Sequence, residues 1–271
     1  MLNISIAIPD SSLVDESTKL DKSRKISLIA RACSIFKVNS ILIYKDGNFH
    51  EDRNLIVTIL RYLVTPPYLR KKLFPKISQL KYAGVLHPLK IQSHTVPMAS
   101  SKIKTNDYRD GVVIGIKGRR FVDSGLDRLI PYNGNQPIGK RITIQFKTGY
   151  PDFSIKEIEK DKIPNYWGYK IQEKGNLFSL LTSWQGLIIL TSRKGKQITK
   201  THLEEYAKSE KPILIVFGSP EKGIHDILGN KIKQVQNAKV LNFFPDQATE
   251  TVRLEEAILG TLSILNLSKF N

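Results

Sequence analysis

The stretch Ile213-Leu-Ile-Val-Phe-Gly-Ser-Pro-Glu-Lys-Gly223 is an unbroken apolar run that enters a loop with two glycines. Such a short apolar run is typical of a strand buried in a parallel sheet. Two similar stretches lie on either side of it: residues 187–190 lead into residues 191–195, and residues 239–241 lead into residues 242–247. Open parallel sheets bind ligands beyond the carboxyl ends of their strands. The sequence therefore predicts an α/β domain whose three strand exits hold a nucleotide-like cofactor.

The pattern around these strands changes twice along the chain. Residues 4–8 and 40–44 predict strands, each followed by apolar residues at helical spacing, and helices are expected again near the C-terminus. Between these parts, short β-rich runs alternate with turn residues. These runs are residues 112–116, 119–122, 128–131 and 141–147. We predict a small OB-like β-barrel of residues 84–164, inserted into an α/β domain of residues 1–83 and 165–271.

The charge of the chain points to a polyanionic partner. The formal net charge is +17, and no Asp or Glu lies between Arg53 and Asp107. A solvated surface normally mixes both signs, whereas a surface that binds phosphates does not. A lysine-rich surface of the thermophile type is the alternative, but that type enriches Glu as well. The basic residues predicted to bind nucleic acid are Arg70, Lys71, Lys72, Lys102, Lys104, Arg109, Lys117, Arg119, Arg120, Lys140 and Arg141.

Cysteine and histidine usage disfavours a metal site. Cys33 is the only cysteine, and no two of the five histidines have i, i+4 spacing. The N-terminal residues 1–9 do not resemble a signal peptide, and no apolar run approaches the roughly 20 residues that span a bilayer. We therefore expect a cytoplasmic protein with no metal and no membrane partner.

Four stretches carry a resemblance to a known family. They are Ile29-Ala-Arg-Ala-Cys-Ser-Ile-Phe36, Tyr62-Leu-Val-Thr-Pro-Pro-Tyr-Leu-Arg-Lys71, Tyr166-Trp-Gly-Tyr169 and Val252-Arg-Leu-Glu-Glu-Ala-Ile258. With the order of the three C-terminal loops, they resemble the SPOUT methyltransferases. More closely, the chain is similar to the archaeal and eukaryotic uridine-N3 ribosomal RNA methyltransferases that carry an inserted OB-like domain. The resemblance covers nearly the whole chain.

This resemblance implies a SPOUT-like parallel-sheet domain whose C-terminal part forms a trefoil knot around S-adenosylmethionine. It also implies a homodimer with composite active sites that acts on structured RNA, either ribosomal RNA or a pre-ribosomal particle. The cofactor-binding residues that it implies are Leu190, Thr191, Ser192, Phe217, Gly218, Ser219, Gly223, Asn242, Phe243, Phe244, Pro245, Gln247 and Thr251. One departure is that relatives tend to carry an acidic residue after the final glycine of the second loop, whereas here Ile224 follows Gly223 and Asp226 comes later.

Arg31, Arg253 and Glu256 are the candidate catalytic residues. Arg31 matches the arginine of the first family motif and would face the target nucleotide. An arginine would also favour the anion that forms when N3 of a uridine loses its proton. A structural ion pair is the alternative for Arg31, and Glu256 lies where the dipole of the last helix stabilises any carboxylate. A non-catalytic RNA-binding ribosome-assembly factor with the same fold is the alternative function, and a tRNA substrate stays open.

Overall fold

The computed structural model describes residues 3–96 and 98–267 and divides into two compact units, each with a hydrophobic cluster of its own. The first unit contains the described residues up to Leu63, the segment Ser78–Pro88 and the described residues from Tyr169 onward. The second unit contains Val64–Ile77 and Leu89–Gly168.

The described residues form eleven strands and seven α-helices, numbered here in chain order. The strands are β1 (Ile4–Pro9), β2 (Ser40–Lys45), β3 (Tyr108–Ile116), β4 (Arg119–Asp123), β5 (Ile130–Pro131), β6 (Arg141–Thr148), β7 (Ser154–Glu157), β8 (Lys170–Asn176), β9 (Leu187–Gln197), β10 (Ile213–Val216) and β11 (Ala238–Asn242). The α-helices are α1 (Lys19–Ile35), α2 (His50–Val64), α3 (Pro67–Leu73), α4 (Leu177–Ser183), α5 (Lys200–Lys208), α6 (Ile224–Leu228) and α7 (Leu254–Leu267).

The first unit is built on a parallel sheet. Among the described residues the strand order is β11-β9-β10-β1-β2-β8, and every pairing is parallel. β1 and β10 lie side by side, and all their residues are buried, which explains why residues 213–216 are apolar without a break. Because the strands run in the same direction, the carboxyl ends of β9, β10 and β11 share one edge of the sheet. The predicted α/β domain with a parallel sheet is confirmed.

One boundary in this unit differs from the predicted one, because a pairing distant in sequence decides it. β9 does not end at Leu190 but continues to Gln197, since it pairs with β11 again beyond a bulge. Helix α7, which is the helix expected near the C-terminus, begins at Leu254. The Glu256 carboxylate accepts a hydrogen bond from the Arg253 amide at 2.9 Å and thereby caps the helix at that point.

The second unit contains an antiparallel sheet with the strand order β5-β4-β3-β6-β7 among the described residues. Its core is apolar and consists of Ile103, Val113, Val122, Ile130, Tyr132, Ile142, Ile144 and Phe146. β5 is shorter than the predicted run 128–131. Tyr132, which follows β5, donates a hydrogen bond to the Glu157 carboxylate of β7 at 3.0 Å. The residue that follows one edge strand therefore contacts the other edge strand.

A buried carboxylate organises this second unit. Asp110 is fully buried and accepts hydrogen bonds from Thr143 Oγ1 at 2.6 Å and from Trp167 Nε1 at 2.8 Å. Arg141 Nε donates to the other carboxylate oxygen at 3.0 Å. Burial works against ionisation of Asp110, but the Arg141 charge and these hydrogen bonds outweigh it and hold the pKa of Asp110 below its ordinary value.

Two arginines predicted to contact RNA, the buried Arg109 and the half-buried Arg141, are engaged inside this unit instead. Arg141 is engaged by Asp110 and also donates to Thr65 Oγ1 at 2.9 Å. Arg109 is only 2% exposed, and its guanidinium donates to the carbonyl oxygens of Ser124 and Val96 at 2.9 and 3.0 Å. The prediction that Arg109 and Arg141 bind RNA is therefore corrected, because the N–H groups of both guanidinium groups donate to acceptors inside the unit.

Candidate active site

A cavity of about 560 Å³ lies in the first unit, where β9, β10 and β11 end and α7 begins. Its walls come from the three predicted loops, from the start of α7 and from Asp15 of the segment after β1. The predicted cofactor-binding residues that line it are Thr191, Ser192, Phe217, Gly218, Ser219, Gly223, Asn242, Phe243, Phe244, Gln247 and Thr251. Leu190 and Pro245 are not among the lining residues.

The first wall is a bulge in β9 rather than a loop after it. Val240 of β11 pairs with Leu190, but the next residue of β11 pairs with Lys196, so residues 191–195 are left out of the pairing. Arg193 holds the bulge in place, since its Nη1 donates to the Glu250 carbonyl at 2.6 Å. At Gly195 a Cβ atom would lie 2.7–2.8 Å from backbone atoms of Leu241, so only glycine fits this crossing of two backbones.

The second wall is the loop after β10, and it is fixed from both sides. Phe217 N donates to Ala7 O at 3.0 Å, and the hydroxyl of Tyr44 donates to Phe217 O at 2.7 Å. Gly218 follows, where a Cβ atom would lie 2.7 Å from Lys222 O. The Gly218 amide donates no hydrogen bond to any described residue. This half-buried amide is therefore an available backbone donor at the cavity.

The end of this loop shows what Asp226 does, although it does not directly follow Gly223 as the acidic residue of relatives does. The Asp226 carboxylate accepts a hydrogen bond from Gly223 N at 3.0 Å and caps α6. The acidic group thus returns to the final glycine from three residues further along the chain. Sequence spacing alone could not reveal this, because the turn geometry decides which carboxylate reaches the amide.

The third wall joins the segment after β11 to α7. Phe244 N donates to the Asn242 side chain at 2.9 Å, and the Phe244 ring lies so close to Gly260 that a Cβ atom there would overlap it. The next residue, Thr261, lines the cavity and is fully buried. Its Oγ1 has no hydrogen-bond partner among the described residues. Buried hydroxyls normally have partners, so this group is a candidate ligand contact.

A buried lysine that the sequence interpretation missed links Asp15, at the cavity, to Glu255 of α7. Lys25 of α1 is 2% exposed, and its Nζ lies 2.5 Å from the Asp15 carboxylate and 3.6 Å from that of Glu255 in α7. A buried ammonium needs such partners, because it loses its water shell. Lys25 thereby fixes Asp15 at the cavity. No signal short of the tertiary contact could have found this pair, since Lys25 lies amid a helix pattern typical of exposed lysines.

The structure separates the three candidate catalytic residues. Arg253 lines the cavity and is more than half exposed, and it lies 3.5 Å from the Glu16 carboxylate. Glu256 does not line the cavity and caps α7 instead. Arg31 also lies outside the lining, and its Nη1 donates to Pro88 O at 2.8 Å within the first unit. Within one copy of the chain, only Arg253 is brought to the cavity.

The remaining predicted RNA-binding residues of the second unit are mostly at its surface. The exposed ones are Lys71, Lys72, Lys102, Lys104, Lys117, Arg119, Arg120 and Lys140, while Arg70 is half-buried and donates to Thr65 O at 3.0 Å. Lys72 is paired with Asp123. Among residues 3–96 and 98–267, no three His, Cys, Asp or Glu side chains cluster as metal ligands would. Across the same residues, no helix has both the length and the apolar character of a membrane span.

Comparison with known proteins identifies the family. Residues 3–265 match a family model described as "Putative RNA methyltransferase". An uncharacterized protein of Halobacterium salinarum is 30% identical, with 98% of this chain and 99% of that protein covered. The 28S rRNA (uridine-N(3))-methyltransferase of Homo sapiens is 26% identical, with 97% of this chain and 77% of that protein covered.

Among solved structures, a probable methylase family protein from Haemophilus influenzae Rd KW20 aligns with 99% of this chain and 66% of its own length, at 9% identity and a TM-score of 0.40. The family expected from the sequence is confirmed by the family model, which spans almost the entire chain. This protein therefore belongs to that RNA methyltransferase family and is an enzyme that methylates RNA.

Proposed function

We propose that this chain methylates N3 of a uridine in ribosomal RNA and takes the methyl group from S-adenosylmethionine bound in the cavity of the first unit. The observation that carries the proposal is that cavity, formed where three neighbouring parallel strands end in a chain of this family. Relatives named 28S rRNA (uridine-N(3))-methyltransferase support the choice of ribosomal RNA as substrate and of uridine N3 as the acceptor.

The residues at the cavity fit S-adenosylmethionine. An adenine edge and a ribose need backbone and hydroxyl partners, which the unpaired Gly218 amide and the Thr261 hydroxyl offer. Phe217, Phe243 and Phe244 supply apolar and aromatic surface for the adenine ring and for the methionine chain. The volume of about 560 Å³ lies in the range of small-molecule sites. When bound, the cofactor would supply an electrophilic methyl group on a sulfonium.

The chain itself has to orient the acceptor and favour its deprotonated form. A uridine N3 carries a proton that must leave, and a cation close to the base stabilises the resulting anion. Arg253 is placed for this task, because its guanidinium is exposed at the cavity and the Glu16 carboxylate, at 3.5 Å, is its one ion-pair partner among the described residues. Arg193 is committed to the Glu250 carbonyl and therefore shapes the wall instead.

We further propose a SPOUT-type trefoil knot and a homodimer. The close backbone crossing at Gly195, where residues 191–195 pass against Leu241, supports a chain threaded at this point. The dimer is supported by exposed apolar side chains on two helices that pack together, Leu28 and Ile35 of α1 and Leu259 of α7. In such a dimer, Arg31 of one copy would reach the target nucleotide at the cavity of the other copy.

The second unit is proposed to be an inserted OB-like domain that docks the RNA. The hydrogen bond from Tyr132, directly after edge strand β5, to Glu157 of the other edge strand, β7, supports a sheet closed into a barrel. Exposed Lys117, Arg119 and Arg120 at the β3–β4 turn, with Lys140, give it a basic surface for phosphates.

Titration calorimetry with S-adenosylmethionine and S-adenosylhomocysteine tests the site, and transfer of a labelled methyl group to ribosomal RNA tests the reaction. We expect micromolar binding of both compounds and label recovered in N3-methyluridine. An absence of binding up to millimolar cofactor would leave the non-catalytic assembly factor as the better account. Label recovered in another nucleoside would correct only the position.

A further inference from the structure

We propose that Arg128, Tyr150 and Phe153 of the second unit form a base-stacking site that binds one unpaired base of the RNA. The proposal rests on the proposed function, because it assumes that the second unit docks RNA. The proposal adds a binding site with two aromatic residues, which the charge pattern of the sequence could not identify.

The three side chains form a layered arrangement. The Arg128 guanidinium carbon lies 4.1 Å from the centre of the Phe153 ring and 5.4 Å from the centre of the Tyr150 ring. Arg128 also donates a hydrogen bond to the Pro151 carbonyl, which lies between the two aromatic residues in the chain. The guanidinium is therefore held in place over both rings instead of moving freely in solvent.

The lower end of this arrangement is anchored in the core. Phe153 contacts the buried Phe146 edge to face, with ring centres 5.2 Å apart and an angle of 70° between the rings. Such a contact fixes the ring plane and lowers the entropy lost when a ligand stacks on the group above it. The base-stacking site is thus preorganised from the interior outward.

The upper end of the arrangement is open to solvent. Tyr150 is 55% exposed although it is a large aromatic residue, and Arg128 is exposed as well. Aromatic faces and guanidinium planes are the two surfaces on which proteins stack unpaired bases. A base placed here would cover apolar ring area that water now contacts.

Cationic side chains lie where the phosphates of such a base would pass. Tyr150 N donates to Ile103 O at 3.2 Å, and at Gly149 a Cβ atom would lie 2.6 Å from that same carbonyl oxygen. The loop is thus pressed against residues 102–104, whose Lys102 and Lys104 are exposed. The carboxylates of Asp107 and Asp127 accept hydrogen bonds from the backbone amides of Lys104 and Ser100, so both carboxylates are oriented toward the backbone.

These features favour a single strand or a loop over a duplex. A basic surface alone binds the phosphates of either form of RNA. In a duplex both faces of each base are covered by its neighbours, so an aromatic stack can be used only by an unpaired base. A basic surface together with an aromatic stack therefore favours RNA that has an unpaired, accessible base.

Fluorescence anisotropy with the full chain and two labelled probes tests this inference, one probe a single-stranded oligouridine and the other an RNA duplex of equal length. We expect Tyr150→Ala to weaken binding of the single strand about five- to tenfold. Tyr150→Phe should bind it like the wild type, since the ring remains. Ile138→Ala, which removes another exposed apolar side chain of the same unit, should also leave binding unchanged. Duplex binding should be equal for all variants.

The salt dependence separates stacking from charge. Plots of log affinity against log salt should run parallel for the wild type and Tyr150→Ala, because no ion pair is lost. Lys104→Ala should give a shallower slope, by about one unit at most. Equal binding of the single strand by the wild type and Tyr150→Ala would overturn the base-stacking site alone. Failure of the wild type to bind either RNA would overturn the RNA-docking role of the second unit as well.

Discussion

Tyr44 acts on the cavity from two strands away. It lies in β2, and its hydroxyl reaches past β1 to donate to Phe217 O at 2.7 Å. Burial raises the pKa of this hydroxyl well above its ordinary value, helped by the charges of Asp46 and Asp10, so it remains a donor at neutral pH. Because a peptide unit is planar and trans, holding the Phe217 carbonyl also sets the direction of the Gly218 amide.

We expect Tyr44→Phe to raise the Kd for S-adenosylhomocysteine about three- to tenfold, since the amide is no longer oriented before binding. Calorimetry measures this directly. Tyr169→Phe is the matched control, because it removes a buried hydroxyl that donates to Leu60 O at 3.1 Å in the same unit, and Tyr169 does not line the cavity. Equal weakening by both variants would mean that Tyr44 matters only for stability.

His94 makes the second unit sensitive to acid. Burial, together with the charges of Arg70 and Arg141, lowers the pKa of His94 to about 4 from its ordinary value of 6.5. Between these values the unfolded chain binds a proton that the folded chain does not, so stability is complete above about pH 6.5 and is lost as the pH falls.

We expect the second unit to lose roughly 1–2 kcal/mol between pH 7 and pH 5 through His94, and His94→Gln to remove that dependence. Urea unfolding in a Trp184→Phe background measures it, because Trp167 then reports on the second unit alone. His50→Gln, at an exposed position of the first unit, serves as the control. An unchanged pH profile in His94→Gln would contradict the assignment.

The sequence located residues that line the cavity, but it did not reveal which arginines are engaged inside the second unit. Thr191, Gly218 and Phe243 could be found from the sequence, because apolar runs reveal parallel strands and the fold rule places ligands at their ends. Arg109 could not be recognised as internal, since a buried arginine and a phosphate-binding arginine look alike until the carbonyl partners of the guanidinium are known.

At the scale of elements, the sequence predicted β10 and the start of β9, but not the continuation of β9 beyond Leu190. β10 is buried along its whole length, so its apolar pattern carries the information. β9 continues beyond Leu190 through polar residues, because β11 pairs with it again after the bulge. The polar residues of β9 beyond the bulge show no alternation of apolar and polar side chains that would indicate this pairing with β11.

The bulge in β9 provides a prediction at this scale. In Gly195→Ala the added Cβ would press on the Leu241 backbone, which cannot move without shifting β11. We expect a loss of about 1–3 kcal/mol in the free energy of unfolding, together with weaker cofactor binding. Urea unfolding and calorimetry measure the two effects. Gly175→Ala in β8 is the control, because nothing lies within 4 Å of its added Cβ. The idea of a tight crossing fails if both variants unfold alike.

At the scale of the whole molecule, one copy of the chain does not place Arg31 at the cavity where the cofactor is proposed to bind. Arg31 matches the family motif, yet it lies outside the cavity lining and binds the Pro88 carbonyl. Arg253 is at the cavity. In a homodimer with composite sites, Arg31 of one copy would lie at the cavity of the other copy. Each target nucleotide would then contact Arg31 from one copy and Arg253 from the other.

Mixing two inactive variants distinguishes this arrangement from a site within one copy. Arg31→Ala and Arg253→Ala should each be nearly inactive alone, because each dimer then lacks one arginine at both sites. After the two are unfolded and refolded together, half of the dimers are mixed, and each mixed dimer has one intact site. Methyl transfer should therefore return to about a quarter of the wild-type rate per chain. If Arg31 serves the cavity of its own copy, every site in the mixture lacks one arginine and the activity stays at the level of the separate variants.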